Sequence, residues 1–254
     1  MKDYTEPILG LGVTQATLDA CIDRILSGLG SRAERQVVAC LNPHSIVLAR
    51  RDPVFSMALR DADIVVPDGT GIVFASRILG GAIRERITGS DIFREVNLHM
   101  NRRGGYRCFF LGSTYKNLER IRDKFSRQYP NVEIAGMYSP PFKPDFDEND
   151  TRDMVAAINA ARPDVLWVGM SAPKQEKWIY LNRRRLDAAL IAAVGAVFDF
   201  YVGTVKRAPR WFLEHGLEWL PRLIQEPRRL WRRNLVSTPL FLSLVLHEKR
   251  SRFR

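Results

Sequence analysis

Four short apolar runs of the chain are each followed by a polar side chain that could take part in chemistry. These side chains are Asn42, Asp68, Gln175 and Asp199, and each has a tight-turn residue close by. A carboxylate beside glycines can face a ligand whose phosphates approach the backbone, and a side-chain amide can hydrogen-bond a sugar or a base. In an open parallel sheet, ligands collect beyond the carboxyl ends of the strands. The sequence therefore predicts a ligand site at that edge of a sheet.

The apolar runs alternate with longer amphipathic stretches, a pattern typical of parallel strands joined by helices. Strands are predicted at residues 36–41, 63–66, 106–111, 132–135, 164–168 and 188–194. Helices are predicted at residues 14–29, 90–102, 114–129 and 149–161, with Thr14 as the N-cap of the first. The predicted fold class is α/β, a Rossmann-like, mostly parallel sheet with helices on both faces.

The turn that contains Asp68 has two interpretations. Its carboxylate stands beside Gly69 and Gly71 and could face a ligand. It could equally cap a helix that begins near Thr70, which is a common role for aspartate. A dinucleotide-binding fingerprint is excluded, because Phe74 occupies the position of the third glycine.

The stretch from Gly169 to Glu176 predicts a helix that starts at a strand end, since Pro173 suits a first helical turn. Gln175 would then point its amide towards the ligand edge. The alternative is an ordinary surface helix on which Lys174 and Glu176 are solvated.

Positive charge is concentrated at the end of the chain. The 254 residues carry a formal charge of +11, and residues 204–254 hold twelve Lys and Arg against four Asp and Glu, or +8. Such asymmetry indicates an anionic partner, either nucleic acid or a membrane surface.

The three cysteines have no paired spacing, which favours free thiols in a reducing compartment. We find neither a secretory signal nor an apolar stretch of about 20 residues, so we expect a cytoplasmic protein with peripheral membrane attachment.

Seven short motifs occur in a fixed order. They are Asn42-Pro43, Pro67-Asp68-Gly69-x-Gly71, Arg86-x-x-Gly89-x-Asp91, Pro173-Lys174-Gln175-Glu176, Phe198-Asp199-Phe200, Arg207-Ala208-Pro209 and Glu218-Trp219. In this order, over about residues 36–233, the chain resembles the WecG/TagA/CpsF glycosyltransferases. The resemblance implies a Rossmann-like inverting enzyme that moves a hexose from a UDP-sugar to a polyprenyl-diphosphate-linked saccharide. It implies action at the cytoplasmic face of the plasma membrane, without a metal or another cofactor.

The resemblance also implies roles for individual residues. Asp68 resembles the catalytic base, which takes the proton of the acceptor hydroxyl. The residues expected to bind substrate are Cys40, Asn42, Gly69, Gly71, Arg86, Gln175 and Asp199. Cys40 stands where many relatives have threonine, and Ser171 replaces a usual glycine. The sugar is left open among N-acetylmannosamine, its uronic acid and glucose.

Two Asp-x-Asp pairs, at residues 61–63 and 145–147, invite a metal assignment. We interpret them as solvated acids, because a site for a hard cation usually requires more converging oxygens than one such pair supplies. His44 adjoins Asn42 and is the one histidine for which a substrate contact is left open.

The last 51 residues, 204–254, are predicted to form a basic helical appendage to a catalytic domain at 1–203. Arg222, Arg229 and Arg232 would share one face of a continuous helix and could meet a diphosphate. The segment 237–254 could lie in an anionic membrane surface as an amphipathic anchor.

The competing function is a basic nucleic-acid-binding α/β protein, although the chain has no recognised motif for reading nucleic acid. An epimerase or dehydrogenase is disfavoured by the missing glycine fingerprint, and a homo-oligomer is left open.

Overall fold

The computed structural model describes residues 4–29, 35–205 and 231–252, together with residues 212, 220, 221 and 223. Of residues 232–234 it describes the backbone alone. Within this part of the chain the fold is α/β, as predicted, and its centre is a six-stranded parallel sheet.

All six strands predicted from the apolar runs are present in that sheet, and a short hairpin precedes them. The strands are β1 (Thr5–Ile8), β2 (Leu11–Thr14), β3 (Gln36–Leu41), β4 (Ile64–Pro67), β5 (Tyr106–Gly112), β6 (Val132–Tyr138), β7 (Val165–Gly169) and β8 (Leu190–Ala193). The order across the sheet is β4-β3-β8-β7-β5-β6, and every neighbouring pair is parallel. The strands β4, β7 and β8 are buried along their whole length, which explains why they read as continuous apolar runs.

Helices cover both faces of the sheet. They are α1 (Leu18–Leu29), α2 (Pro43–Ala49), α3 (Pro53–Asp61), α4 (Thr70–Ile78), α5 (Gly89–Arg103), α6 (Tyr115–Gln128), α7 (Glu148–Ala161), α8 (Lys174–Asn182), α9 (Val197–Val202) and α10 (Thr238–Arg252), with a 3-10 turn at Arg183–Arg185 and a π-helical turn at Arg232–Ser237. One face packs against α1, α5, α6 and α9. The other packs against α2, α3, α4, α7 and α8, and this second layer also includes the hairpin and α10.

The start of the chain differs from the prediction. Thr14 is predicted as the N-cap of the first helix, but it is the last residue of β2, and α1 begins at Leu18. Strands β1 and β2 pair through a two-residue turn whose residues, Leu9 and Gly10, have φ angles of 50° and 81°. Hairpin turns of this kind usually carry Asn-Gly or Asp-Gly. Leucine in the first position gave no such signal.

The C-terminal helix is confirmed, and it packs against the body of the protein. Phe241 and Val245 of α10 have no exposed surface, and they belong to the same core cluster as Ile46 of α2 and Ile72 of α4. The predicted boundary between residues 203 and 204 stays a prediction, because residues 206–211 lie outside the described part. Among the described helices, none has the length and apolar character needed to cross a membrane.

Candidate active site at the carboxyl edge of the sheet

Asn42 and Asp68 emerge side by side where two neighbouring strands end. Strands β3 and β4 pair with Leu41 opposite Pro67, and the Asp68 N–H donates to the Leu41 carbonyl over 2.8 Å. A Cβ atom added to Gly69 would lie 4.0 Å from the Cβ of Asn42, so the two turns approach closely. The structure thus brings together Asn42 and Asp68, the two residues that the sequence places at neighbouring strand ends.

The side-chain oxygen of Asn42 is used in a local hydrogen bond that caps a helix. Asn42 is the N-cap residue of α2, and its Oδ1 accepts the Ser45 N–H over 3.0 Å. Its Nδ2 has no hydrogen-bond partner among the described residues. Asn42 can therefore offer a ligand two N–H donors at a position that the cap holds in place.

Of the two interpretations of the Asp68 turn, the capping role is wrong. Gly69 is the N-cap residue of α4, with a φ of 115° that disfavours any side chain there. Gly71 has a steric reason to be glycine, because a Cβ atom on it would come within 2.5 Å of the Pro43 ring. Asp68 is half-buried and directly precedes Gly69, and it is the N-cap residue of neither α2 nor α4. Substrate contact by Gly69 and Gly71 stays a prediction.

Arg86 belongs to a loop that crosses this edge of the sheet from α4 to α5. The Ile87 N–H donates to the Pro67 carbonyl over 3.1 Å. Arg86 and Asp68 are each one residue away from this contact, and both are half-buried. The loop ends at Thr88, which forms a reciprocal capping box with Asp91 at the start of α5.

Cys40 contributes a neutral thiol to the end of β3. Burial raises the pKa of the Cys40 thiol well above its usual value, and the Asp68 carboxylate raises it further. Its Sγ lies 3.3 Å from the position of a Cβ atom on Gly89, at the start of α5. The thiol is therefore a weak hydrogen-bond donor at neutral pH, and not a nucleophile.

Gln175 joins the ends of β7 and β8. Its side-chain oxygen accepts the Met170 N–H over 3.2 Å and the Gly195 N–H over 3.1 Å. Its Nε2 donates to Oε1 of Glu176 over 2.8 Å. Gln175 is 3% exposed, so the oxygen is fully used by the protein, and the nitrogen alone retains hydrogen-bonding capacity for a ligand.

Glu176 is buried, so the predicted alternative of a solvated glutamate is wrong. Burial raises the pKa of its carboxyl group from an ordinary 4.5 to about 7, against the lowering effect of the Gln175 hydrogen bond. Its Oε2 is buried and has no hydrogen-bond partner within the described part of the chain. Glu176 is the one buried carboxyl whose pKa reaches the neutral range in that part.

Asp199 lies further along the edge than the other predicted residues. It is in the first turn of α9, and its Oδ1 accepts the Asn117 Nδ2–H over 3.0 Å. Asn117 belongs to the start of α6, which follows β5. Asp199 is thus tied to the β5 end of the edge, whereas Asp68 follows β4 at the other side of the sheet.

The four strand ends β4, β3, β8 and β7 are consecutive across the sheet. They present Asp68, Asn42, Gly195 with the Gln175 amide, and Met170, in that order. Neighbouring strands are about 4.8 Å apart, so this row spans roughly 14 Å. That length suits a ligand made of several linked groups.

Comparison with known proteins identifies the family of the chain. The family described as the glycosyl transferase WecG/TagA/CpsF family matches residues 6–254. An N-acetylglucosaminyldiphosphoundecaprenol N-acetyl-beta-D-mannosaminyltransferase of Bacillus subtilis strain 168 is 32% identical, over 98% of this chain and 93% of its own. Enzymes of the same name from Bacillus spizizenii and Staphylococcus aureus strain MW2 are 30% and 26% identical, with at least 96% of this chain and 92% of theirs covered. The chain belongs to the WecG/TagA/CpsF family of glycosyltransferases.

The predicted membership and the predicted class of enzyme are therefore confirmed. Three arginines expected to serve this glycosyltransferase cannot be placed in its site. Arg222 and Arg229 lie outside the described residues, and only the backbone of Arg232 is described, in the π-helical turn. Their contact with phosphate stays a prediction.

His44 connects the site to the C-terminal segment. Its Nδ1 lies 2.8 Å from Oγ of Ser237, the last residue of the π-helical turn. His44 is in the first turn of α2, two residues after Asn42. The sequence left open whether His44 contacts the substrate. The structure shows another role, because His44 connects α2 to the segment that leads into α10.

Three acids of the two Asp-x-Asp pairs have partners within the protein. Asp61 and Asp63 form ion pairs with Arg183 at 3.0 and 2.6 Å. Asp147 caps α7 and pairs with Lys143 at 2.8 Å. The Asp61 and Asp147 side chains are 44% and 60% exposed, so these two acids are solvated, as predicted, and also have an ionic partner. No group of three or more His, Cys, Asp and Glu side chains suited to a metal is found among the residues described.

Sequence reasoning missed two parts of this site. One is the pair of backbone N–H groups of Met170 and Gly195, which fix the direction of the Gln175 amide. The other is the burial of Glu176. No signal for this burial was present in the sequence, because Lys174, Gln175 and Glu176 read as the polar start of a surface helix.

Proposed function

We propose that this glycosyltransferase moves a hexose from a UDP-sugar to a polyprenyl-diphosphate-linked saccharide, with inversion at the anomeric carbon. The relatives are named for transfer of N-acetylmannosamine to N-acetylglucosaminyl-diphosphoundecaprenol, which supports the acceptor and makes N-acetylmannosamine the first sugar to test. The observation that carries the proposal is that the half-buried Asp68 follows β4 beside Asn42, which follows β3, at the carboxyl edge of the sheet.

Asp68 serves as the general base. As the acceptor oxygen attacks the anomeric carbon, its proton passes to the Asp68 carboxylate, and the bond from that carbon to the UDP oxygen breaks with its electron pair. A single displacement of this kind inverts the anomeric carbon, because the new bond forms opposite the breaking one. The diphosphate that leaves carries growing negative charge, which preorganised donors can offset. Arg86 and the N–H donors of Asn42 and Gln175 are the candidates at this edge.

The test is transfer with a panel of UDP-sugars and a synthetic N-acetylglucosaminyl-diphosphopolyprenol. The panel contains UDP-N-acetylmannosamine, its uronic acid and UDP-glucose. The Asp68→Asn variant keeps the size of the side chain and removes its basicity, so we expect kcat to fall by about 10²- to 10⁴-fold. Proton NMR of the product reports the anomeric configuration.

Asp153→Asn is the matched control, since the Asp153 side chain is 60% exposed on α7. We expect this control to retain full activity. Undiminished transfer by Asp68→Asn would reject the role of the base, and a product with retained configuration would reject the single displacement. Absence of transfer from every donor would reject the proposed reaction.

We also propose that α10 and the turn before it contact an anionic membrane surface. Leu235, Val236 and Leu246 are about half exposed or more, and Lys249, Arg250 and Arg252 lie in the last turn of α10. Exposed apolar side chains near basic ones favour binding at the interface of an anionic bilayer. Because Phe241 and Val245 belong to the core, point variants test this contact better than deletion of the segment.

Co-sedimentation with phosphatidylcholine vesicles, with and without phosphatidylglycerol, measures the contact. We expect the double variant Leu235→Ser, Leu246→Ser to bind anionic vesicles less tightly than the natural chain. Leu181→Ser is the control, because Leu181 is a 66% exposed leucine on α8. Equal losses in the control and the double variant would contradict the assignment, as would binding to oligonucleotides but not to vesicles.

A further inference from the structure

Glu176 is a buried carboxyl group that the reaction described above does not use. It is 4% exposed, and its two oxygens have different surroundings. Oε1 accepts the Gln175 Nε2–H at 2.8 Å, whereas Oε2 is buried without a partner in the described part of the chain. A cavity of about 10 Å³, room for roughly one water molecule, adjoins the carboxyl group between β3, β8 and α3.

The hydrogen bonds of Gln175 leave its amide one orientation. The oxygen faces two backbone N–H groups, those of Met170 and Gly195. Rotation of the amide by 180° would turn its NH₂ group against these donors, and would turn its oxygen towards Glu176. One N–H of Gln175 is occupied by Glu176, and the second remains. Gly195 has no side chain, and a Cβ atom there would lie 3.7 Å from Nε2, so the glycine keeps space beside the amide.

A purely structural role explains Glu176 poorly. A buried carboxyl with one unpartnered oxygen destabilises a fold relative to an apolar side chain of similar size. Strands β7 and β8 are already joined by the oxygen of Gln175. What Glu176 adds is control over the amide nitrogen, the atom that can still meet a ligand.

We propose that Glu176 is a positioning residue for sugar transfer, whose carboxylate, together with the Met170 and Gly195 N–H groups, holds the Gln175 amide so that its remaining N–H is directed at the bound UDP-sugar. This inference rests on the proposed function for the identity of the ligand. Glu176 acts through Gln175 and does not touch the reacting atoms.

Titration of Glu176 provides a readout that a structural role would not. Burial raises the pKa of Glu176 to about 7. Within the described part of the chain, the other titratable groups that face it are Asp61 and Tyr180, which line the cavity, and the Cys40 thiol. Asp61 is paired with Arg183, and the Tyr180 hydroxyl is directed at Met57. Above pH 7 the ionised carboxylate is the stronger acceptor, so KM for the UDP-sugar should rise as the pH falls through about 7, while kcat changes little.

Two variants separate the effects. Glu176→Gln keeps a carbonyl oxygen for Gln175 and removes the titration, so we expect its KM to stay within about twofold of the natural value and to be flat through pH 7. Glu176→Met removes the acceptor, and we expect KM to rise about five- to tenfold with kcat nearly unchanged. Glu119→Gln and Glu119→Met, at a half-exposed position on α6, are the controls. Equal KM values for the natural chain and both Glu176 variants would overturn the proposal.

An NMR measurement keeps the inference testable if no donor is turned over. The Gln175 side-chain amide signals are followed against pH in the natural chain and in Glu176→Gln. We expect a shift centred near pH 7 in the natural chain that the variant lacks. Amide signals that ignore pH, or that shift equally in both proteins, would refute the positioning role, whereas failure of transfer alone would count against the proposed reaction.

Discussion

Replacing Glu176 with glutamine is expected to change how the stability of the protein depends on pH. The carboxyl group is buried, and its pKa in the folded protein is about 7, against an ordinary value of 4.5. Between these two values the folded protein keeps a proton that the unfolded chain has already released. This bound proton contributes to the free energy of unfolding. The contribution is fully present below pH 4.5 and is lost as the pH rises through 7.

The magnitude follows from the size of the shift. Each pKa unit corresponds to about 1.4 kcal/mol, so the shift of Glu176 amounts to roughly 3 kcal/mol of unfolding free energy. Glutamine has nearly the same shape and does not titrate. The difference in unfolding free energy between Glu176→Gln and the natural chain should therefore move by roughly 3 kcal/mol between about pH 4.5 and pH 8, in favour of the variant at high pH.

Urea unfolding of both proteins across this pH range measures the difference. Other titrating groups contribute equally to both proteins and cancel, and Glu119→Gln checks that cancellation at a half-exposed site. A constant offset between the two proteins at every pH is compatible with the argument, because an amide and a carboxyl group differ in hydrogen bonding. A difference that does not change with pH would refute it, and would show that Glu176 is solvated or charged at no cost.

Three further outcomes are expected. Phe241→Ala should lower the unfolding free energy by about 3–5 kcal/mol, since Phe241 has no exposed surface, and Leu246→Ala on the exposed side of the same helix should change it by less than about 1 kcal/mol. Similar urea midpoints for the two variants would contradict the packing of α10. Gly112→Ala should abolish soluble expression or cost more than about 3 kcal/mol, because its Cβ atom would lie 2.4 Å from the Gly169 carbonyl oxygen of the neighbouring strand. Gly104→Ala, at a positive φ with nothing within 4 Å, is its control and should cost about 1–2 kcal/mol in urea unfolding. Transfer activity should persist in excess chelator, and a strict requirement for Mg²⁺ or Mn²⁺ would contradict the absence of a metal from the proposed mechanism.

Much of the central sheet could be predicted because β4, β7 and β8 are buried along their whole length. The segment Val165–Gly169 is buried at every position, and such a strand reads as an unbroken apolar run whatever its neighbours are. The hairpin at the start of the chain could not be predicted in this way. Its turn places Leu9 in the left-handed region, where leucine is uncommon, so the strongest local signal for a hairpin was missing.

The same contrast holds within the site. Asn42 and Asp68 could be placed together because parallel strands bring their carboxyl ends to one edge, which is a rule of topology. The fate of Glu176 depends on tertiary packing instead. A Lys-Gln-Glu sequence at a helix start reads as polar surface. The space around the carboxyl group is closed by the packing of α8 against β3, β8 and α3, which brings Ala58 and Asp61 of α3 to the same cavity.

The C-terminal helix shows why composition alone could not separate a core contact from a membrane contact. The run 240–246 is apolar over a wide arc of the helix, and both environments select the same residue types. The structure divides that arc, because Phe241 and Val245 are buried in the body while Leu246 is half exposed. The body therefore covers one part of the apolar surface fully and leaves the other part partly uncovered among the described residues. It is this uncovered part, next to the basic last turn of α10, on which the proposed membrane contact depends, so variants confined to it are the ones that test the contact.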